Sequence, residues 1–322
     1  MKITLDLSKL VEDGKLTAAE AERLRGLAAQ DTGSLGINIL VGFGVVAVAG
    51  GAGALIPNVT TGFVLGLLIF AFGTALTLYR VRQWELLAQI CTILGALTFC
   101  GTVLVFGQGS LAAMLIVTAL LAGAALLARS SLLIAASVLA LGACLGAKAD
   151  YWHATYALSI YEPFITVVLF SGLALAAYMI SQRVSANFER IAINAARTAV
   201  LMVNFGFWIG SLWGDRLLLL HRMMDSKAPE FARLPVAIPA WVFGVGWALA
   251  LIAVGVWGVR ANRRWVVNVA AVFGAIHFYT QWFERLGASP LSVLLGGVLM
   301  LAFAFAIWRF NRQAENKIET AA

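Results

Sequence analysis

Ten apolar runs, separated by short polar punctuation, fill the chain from Gly36 to Trp308. Each is close to the roughly 20 apolar residues a helix needs to cross the hydrocarbon core of a bilayer. Inside lipid, backbone amides and carbonyls must be satisfied within the segment, so runs of this kind fold as helices. The spacing predicts spans over residues 36–56, 62–79, 86–106, 111–128, 132–147, 156–180, 191–213, 236–259, 265–283 and 290–308. Only 12% of the residues are charged and 61% are hydrophobic, against about 25% charged in soluble domains. Runs such as Leu111–Ala128 and Val236–Val259 leave no hydrated face. The expected fold is an all-α, polytopic transmembrane helix bundle of about ten spans over 36–308. A cytoplasmic helical hairpin at 1–35 precedes it and a cytoplasmic tail at 309–322 follows. The fifth run is short, and either crosses steeply or extends past Ala147.

The basic residues orient these spans. With the amino terminus inside, 16 of the 23 lysines and arginines fall on the cytoplasmic side, six fall opposite, and Arg197 lies within a span. An excess of Lys and Arg in cytoplasmic loops is how orientation is set, so both termini are expected inside, with an even number of spans. The net charge of +7 is spread over helix ends rather than gathered in one patch. That distribution argues against a nucleic-acid partner and for the lipid bilayer. Residues 1–31 lack the pattern of a cleaved signal peptide, so the first span reads as an uncleaved anchor. The segment Gly214–Pro235 is the one sizeable outer stretch; it either extends the seventh helix outward or lies in the interface as an amphipathic piece. Cys91, Cys100 and Cys144 have no C-x-x-C spacing and no nearby histidine, so they read as packing residues, with no metal or cofactor expected. Gly50-Gly51-Ala52-Gly53 lacks the lysine and hydroxyl residue of a phosphate loop and reads as a helix-packing stretch.

At the amino terminus, Thr17 followed by Glu20 is a capping box, in which hydroxyl and carboxylate satisfy each other's orphan amides at a helix start. Gly14 supplies the preceding turn, and Leu24 and Leu27 share a face with Ala21. The stretch from Lys9 to Ala28, KLVEDGKLTAAEAERLRGLA, stands directly before a glycine-rich first span. Near the other end come Tyr279, Trp282 and Phe283, then Ser289-Pro290-Leu291, then a glycine-bearing span ending in Arg309 and Arg312. Together these features resemble a family of bacterial polytopic membrane proteins classed as a domain of unknown function, with a short helical hairpin at the amino terminus. The resemblance implies a multi-pass protein of the bacterial inner membrane. It brings no catalytic residues with it. The hairpin at 1–31 is a candidate docking module for a cytoplasmic protein partner, or a structural cap under the membrane domain.

Polar residues inside the spans carry the remaining information. In the seventh, Asn194, Arg197, Leu201, Asn204, Trp208 and Ser211 recur at three- and four-residue steps and form one stripe that reaches Asp215. Gly206, Gly210 and Gly214 recur every four residues on the roughly opposite side, as helix-packing positions. Arg197 either snorkels to the interface or pairs structurally, or it contacts an anion or substrate. In the ninth span His277, Gln281 and Glu284 share a face, and Glu162-Pro163 lies near the outer end of the sixth. With His153 and Asp215 these form an outward polar vestibule, a proton relay, a metal site that no H-x-x-x-H spacing supports, or ordinary interfacial decoration.

Two functional classes follow. One is a transporter or carrier for a small or amphipathic solute, with Asn194, Arg197, Asn204, Glu162, His277 and Gln281 as its polar path. The other is a non-transport scaffold or sensor that recruits a partner through the hairpin. An enzyme ranks third, since no nucleophile–base pair and no paired carboxylates stand out.

Overall fold

The computed structural model describes residues 16–17, 19–21, 40–48, 50–51, 54–55, 58–79, 84–152, 155–218, 235–261, 263–287 and 289–319. The elements are α1 (Val59–Leu78), α2 (Glu85–Phe106), α3 (Leu111–Ala128), α4 (Ser131–Cys144), β1 (Lys148–Trp152), β2 (Thr155–Ser159), α5 (Pro163–Ser181), α6 (Ala186–Trp213), α7 (Ala240–Arg260), α8 (Arg264–Leu286) and α9 (Pro290–Glu319). Residues 40–48 are also helical, within the first predicted span. Among the described residues seven helices are long and apolar enough to cross a membrane, and Ser131–Cys144 and Pro290–Ala302 are shorter apolar helices. Large apolar side chains such as Leu126, Leu249 and Ile252 stand exposed along them. A water-soluble protein would bury that surface; here it is what lipid covers. The chain is an integral, multi-pass helical membrane protein.

Two compact units divide it: Met1–Leu141 with Ile180–Ala195, and Gly142–Met179 with Ala196–Ala322. In the first, α1 starts where the Asn58 side chain accepts from the Thr61 amide at 2.7 Å and the Thr61 hydroxyl at 2.9 Å. α1 and α2 are antiparallel and close on glycine. A Cβ on Gly66 would lie 2.6 Å from the Phe99 backbone nitrogen, and one on Gly73 or Gly95 would run into the backbone at Thr92 or Phe70. Small residues let helix backbones approach this closely in lipid, where dispersion and not water release drives association. The Thr92 hydroxyl on this seam is satisfied within its own helix, by the Ala88 carbonyl at 2.7 Å. Ala96, Cys100, Val117, Leu121, Ala125 and Leu133 continue a core across α2, α3 and α4. Arg190 donates to Ser131 at 3.3 Å, and Arg129 lies over the Phe188 ring, 5.9 Å from its centroid.

In the second unit α5, α6, α7 and α8 alternate in direction. α6 and α7 are antiparallel, with Asn204 beside Trp247 and Gly210 beside Phe243. α6 and α8 run parallel, with Arg197 beside Trp265 and Trp208 beside Thr280. α9 returns along α8, held where the Trp282 indole donates to the Ser292 carbonyl at 3.1 Å. It continues through the predicted tail to Glu319.

Three expectations are corrected. The fifth run does not extend past Ala147: α4 ends at Cys144 and turns through Gly146, whose φ is +79°. Its 14 residues span about 21 Å at 1.5 Å each, short of the roughly 30 Å core. The sixth span does not begin at residue 156. Residues Thr155–Ser159 form a strand paired antiparallel with Lys148–Trp152, and the helix begins at Pro163, whose missing amide hydrogen costs nothing at a first helical position. The all-α expectation therefore gains one two-stranded hairpin. Third, the seventh helix does not extend outward into the following segment. It stops at Trp213 because Gly214 takes φ +70° and Asp215 leaves the helix to bridge Ile238.

At the amino terminus the capping box forms: the Glu20 carboxylate accepts from the Thr17 amide at 2.9 Å and hydroxyl at 2.7 Å, and the Glu20 amide donates to the Thr17 hydroxyl at 3.3 Å. Those bonds hold the Glu20 carboxyl below its ordinary value. Gly14, Leu24 and Leu27 lie outside the described residues.

Candidate functional site

The second unit holds a polar network in an apolar setting. Its hub is Trp247, fully buried in the middle of α7. An indole N–H in such a place needs an acceptor. The Asn204 side-chain oxygen accepts it at 2.9 Å, and the Asn204 amide nitrogen donates to the Val200 carbonyl at 2.8 Å. The remaining edge of the indole meets His277 of α8 edge to face, with centroids 4.9 Å apart, and Phe273 one turn earlier at 6.5 Å. One turn beyond His277, Gln281 lies against Gly244 of α7: a Cβ there would stand 3.3 Å from the Gln281 side-chain oxygen. The Gln281 amide nitrogen is buried and has no hydrogen-bond partner among the described residues.

Between α7 and α8 this leaves a cleft of about 490 Å³. Gly244, Val245 and Ala248 line it from α7, and His277, Phe278, Gln281, Trp282 and Leu286 from α8. Small-molecule sites have this character, with mostly apolar walls and a few polar groups that fix orientation. Gly244 opens the cleft, because any larger residue would fill its floor.

The six polar-path residues do not come together. His277 and Gln281 line the cleft. Asn204 lies behind it, with both ends of its amide engaged. Arg197 is exposed two turns along α6 from Asn204, over Trp265, with its guanidinium carbon 5.3 Å from the ring centroid. Asn194, half-buried, belongs to the first compact unit. Glu162 is buried at the foot of α5, and its carbonyl accepts from the buried Thr166 at 2.9 Å.

Of the remaining stripe, Trp208 donates to the Thr280 hydroxyl at 3.1 Å and Ser211 donates to the Trp208 carbonyl. Asp215, 1% exposed, accepts from the amides of Phe164 and Leu217, both at 2.7 Å. It thus caps α5, where a carboxylate also complements the positive end of the helix dipole. Glu284 is exposed, and His153 lies outside the described residues. Each packing glycine has its own neighbour: Gly206 faces Val167 and Thr166, Gly210 the Phe243 ring, and Gly214 the Ile238 carbonyl.

Sequence reasoning missed Trp247, Gly244, Thr280 and Trp265. For Trp247 a signal existed. It stands in mid-run, away from the interfaces where tryptophan belongs, so its N–H had to find a partner inside the bundle. The arrangement offers one donor amide and one imidazole on an apolar wall, which suits binding. Compared with family models, curated proteins and solved structures, the chain finds no match.

Proposed function

We propose that the chain is a carrier for an amphipathic solute, with the α7–α8 cleft as its binding site. The carrying observation is the separation of the polar residues. A fully polar solute would need a continuous hydrophilic path, but Asn204 is closed off by Trp247 and Arg197 lies elsewhere. An amphipath needs only an apolar trough and one anchoring point, which the cleft and the Gln281 amide supply. The protein would lie in a bacterial inner membrane with about ten crossings and both termini cytoplasmic. The alternating basic flanks and the family resemblance support that placement.

The test is transbilayer movement of a fluorescent single-chain phospholipid in reconstituted vesicles, read by quenching from outside. Wild-type protein should accelerate it, and Gly244→Leu and Gln281→Leu should return it to the protein-free rate. Movement that is equal in all three proteins, or absent with wild type, would sink the reading.

A further inference from the structure

We infer that the opposite end of the second unit binds the phosphodiester headgroup of an anionic phospholipid, between Arg197 and the turn joining α7 to α8. The turn carries Arg260, Arg263 and Arg264, all exposed, and Trp265 follows in the first turn of α8. The stacking of Arg197 on Trp265 brings a fourth guanidinium, from another helix, to the same level.

The geometry of that contact favours a phosphate. With its carbon over the ring at 5.3 Å, the Arg197 guanidinium spends none of its five N–H donors on the indole as hydrogen bonds to an acceptor, and their fork matches phosphate oxygens. Among the described residues no carboxylate pairs with Arg197, and the first turn of α8 holds no acid. Arg197 nevertheless lies inside the membrane-crossing stretch Phe188–Trp213. A ring quadrupole offsets only part of the cost of a cation there, so an external anion completes the balance.

Exposed apolar residues stand near these arginines in sequence: Leu201, one turn along α6 from Arg197, and Val256 and Val259, within about a turn of Arg260 on α7. Acyl chains attached to the bound phosphate would cover them. Free phosphate has nothing to place there, so the occupant is a lipid. Basic clusters between helices are the expected receptors for such headgroups.

The experiment measures lipid retention by native mass spectrometry and thermal stability in detergent. The purified full chain is given phosphatidylglycerol, phosphatidylcholine or inorganic phosphate. Phosphatidylglycerol should be retained and should stabilise, while the other two should do neither. Arg197→Gln and, separately, Arg264→Gln should each weaken retention about fivefold, the effect of removing one cation from a membrane-surface site. Arg216→Gln, just past the far end of α6, should leave retention unchanged. Equal retention of phosphatidylcholine, stabilisation by inorganic phosphate alone, or wild-type retention in both Arg197→Gln and Arg264→Gln would overturn the assignment. Should Arg197→Gln fail to fold, Arg264→Gln decides the matter alone.

Discussion

Two helical hairpins in this molecule are built from similar material and end differently. α1 and α2 meet along Gly66, Gly73 and Gly95, each facing the partner's backbone, and the seam is closed. α7 and α8 also meet at a glycine, Gly244, but it faces the end of a glutamine side chain, and the helices leave a cleft of about 490 Å³. The lesson is that glycine content alone says nothing about closeness. What matters is whether the residue opposite is backbone, which cannot yield, or a flexible side chain, which can.

The largest expected effect lies on the closed seam. Gly95→Leu would drive a side chain into the Phe70 backbone and should cost about 3 kcal/mol or more, as severe overpacking does. Loss of the monodisperse peak on size-exclusion chromatography is the expected result; a normal peak and melting curve would show that the seam can open. On the open hairpin the matching change, Gly244→Leu, should shift stability by less than about 1 kcal/mol, because the Gln281 amide can move aside and the new side chain fills existing space. A loss as large as that of Gly95→Leu would erase the distinction.

Between these lies the polar hub. Trp247→Phe removes the indole N–H and leaves the Asn204 oxygen without its donor, for a loss of about 1 to 2 kcal/mol. Asn204→Leu should cost a similar amount, and the double variant less than the sum, since the bond is lost only once. Additive losses in thermal unfolding would mean that the bond contributes nothing.

The smallest effect belongs to the amino-terminal cap. The Glu20 carboxyl is held below its ordinary 4.5 by Thr17, so its contribution is fully present above that value and fades as pH falls through the lowered one. Protection of the Glu20 and Ala21 amides, measured against their intrinsic exchange rates, should therefore fall in acid, and Glu20→Gln should remove that pH dependence. Unchanged protection across the carboxylate range would show that the cap is not holding the turn.

Helix limits were legible wherever polarity changes sharply. The apolar run Leu111–Ala128 coincides with its helix to the residue, because Ser110 and Arg129 bound it. The hairpin at 148–159 was lost because Tyr156, Ala157 and Leu158 are apolar enough to merge with the helix that follows; Glu162 and Pro163 marked the true boundary. The site was less legible. A period of 3.6 places Arg197, Asn204 and Ser211 on one stripe. It cannot say that Arg197 meets α8 near its start while Asn204 meets α7 at a tryptophan 43 residues away.

Asp215 has a further consequence. Its carboxylate holds the first turn of α5, its backbone bridges Ile238 ahead of α7, and it follows directly on α6. Three helix ends are thus knotted at one aspartate, and residues 219–234 fall, in sequence, between the bridged Asp215 and Ile238. An epitope inserted among them would leave the knot intact, and its accessibility to antibody in sealed vesicles would report which face of the membrane this end of the helices meets.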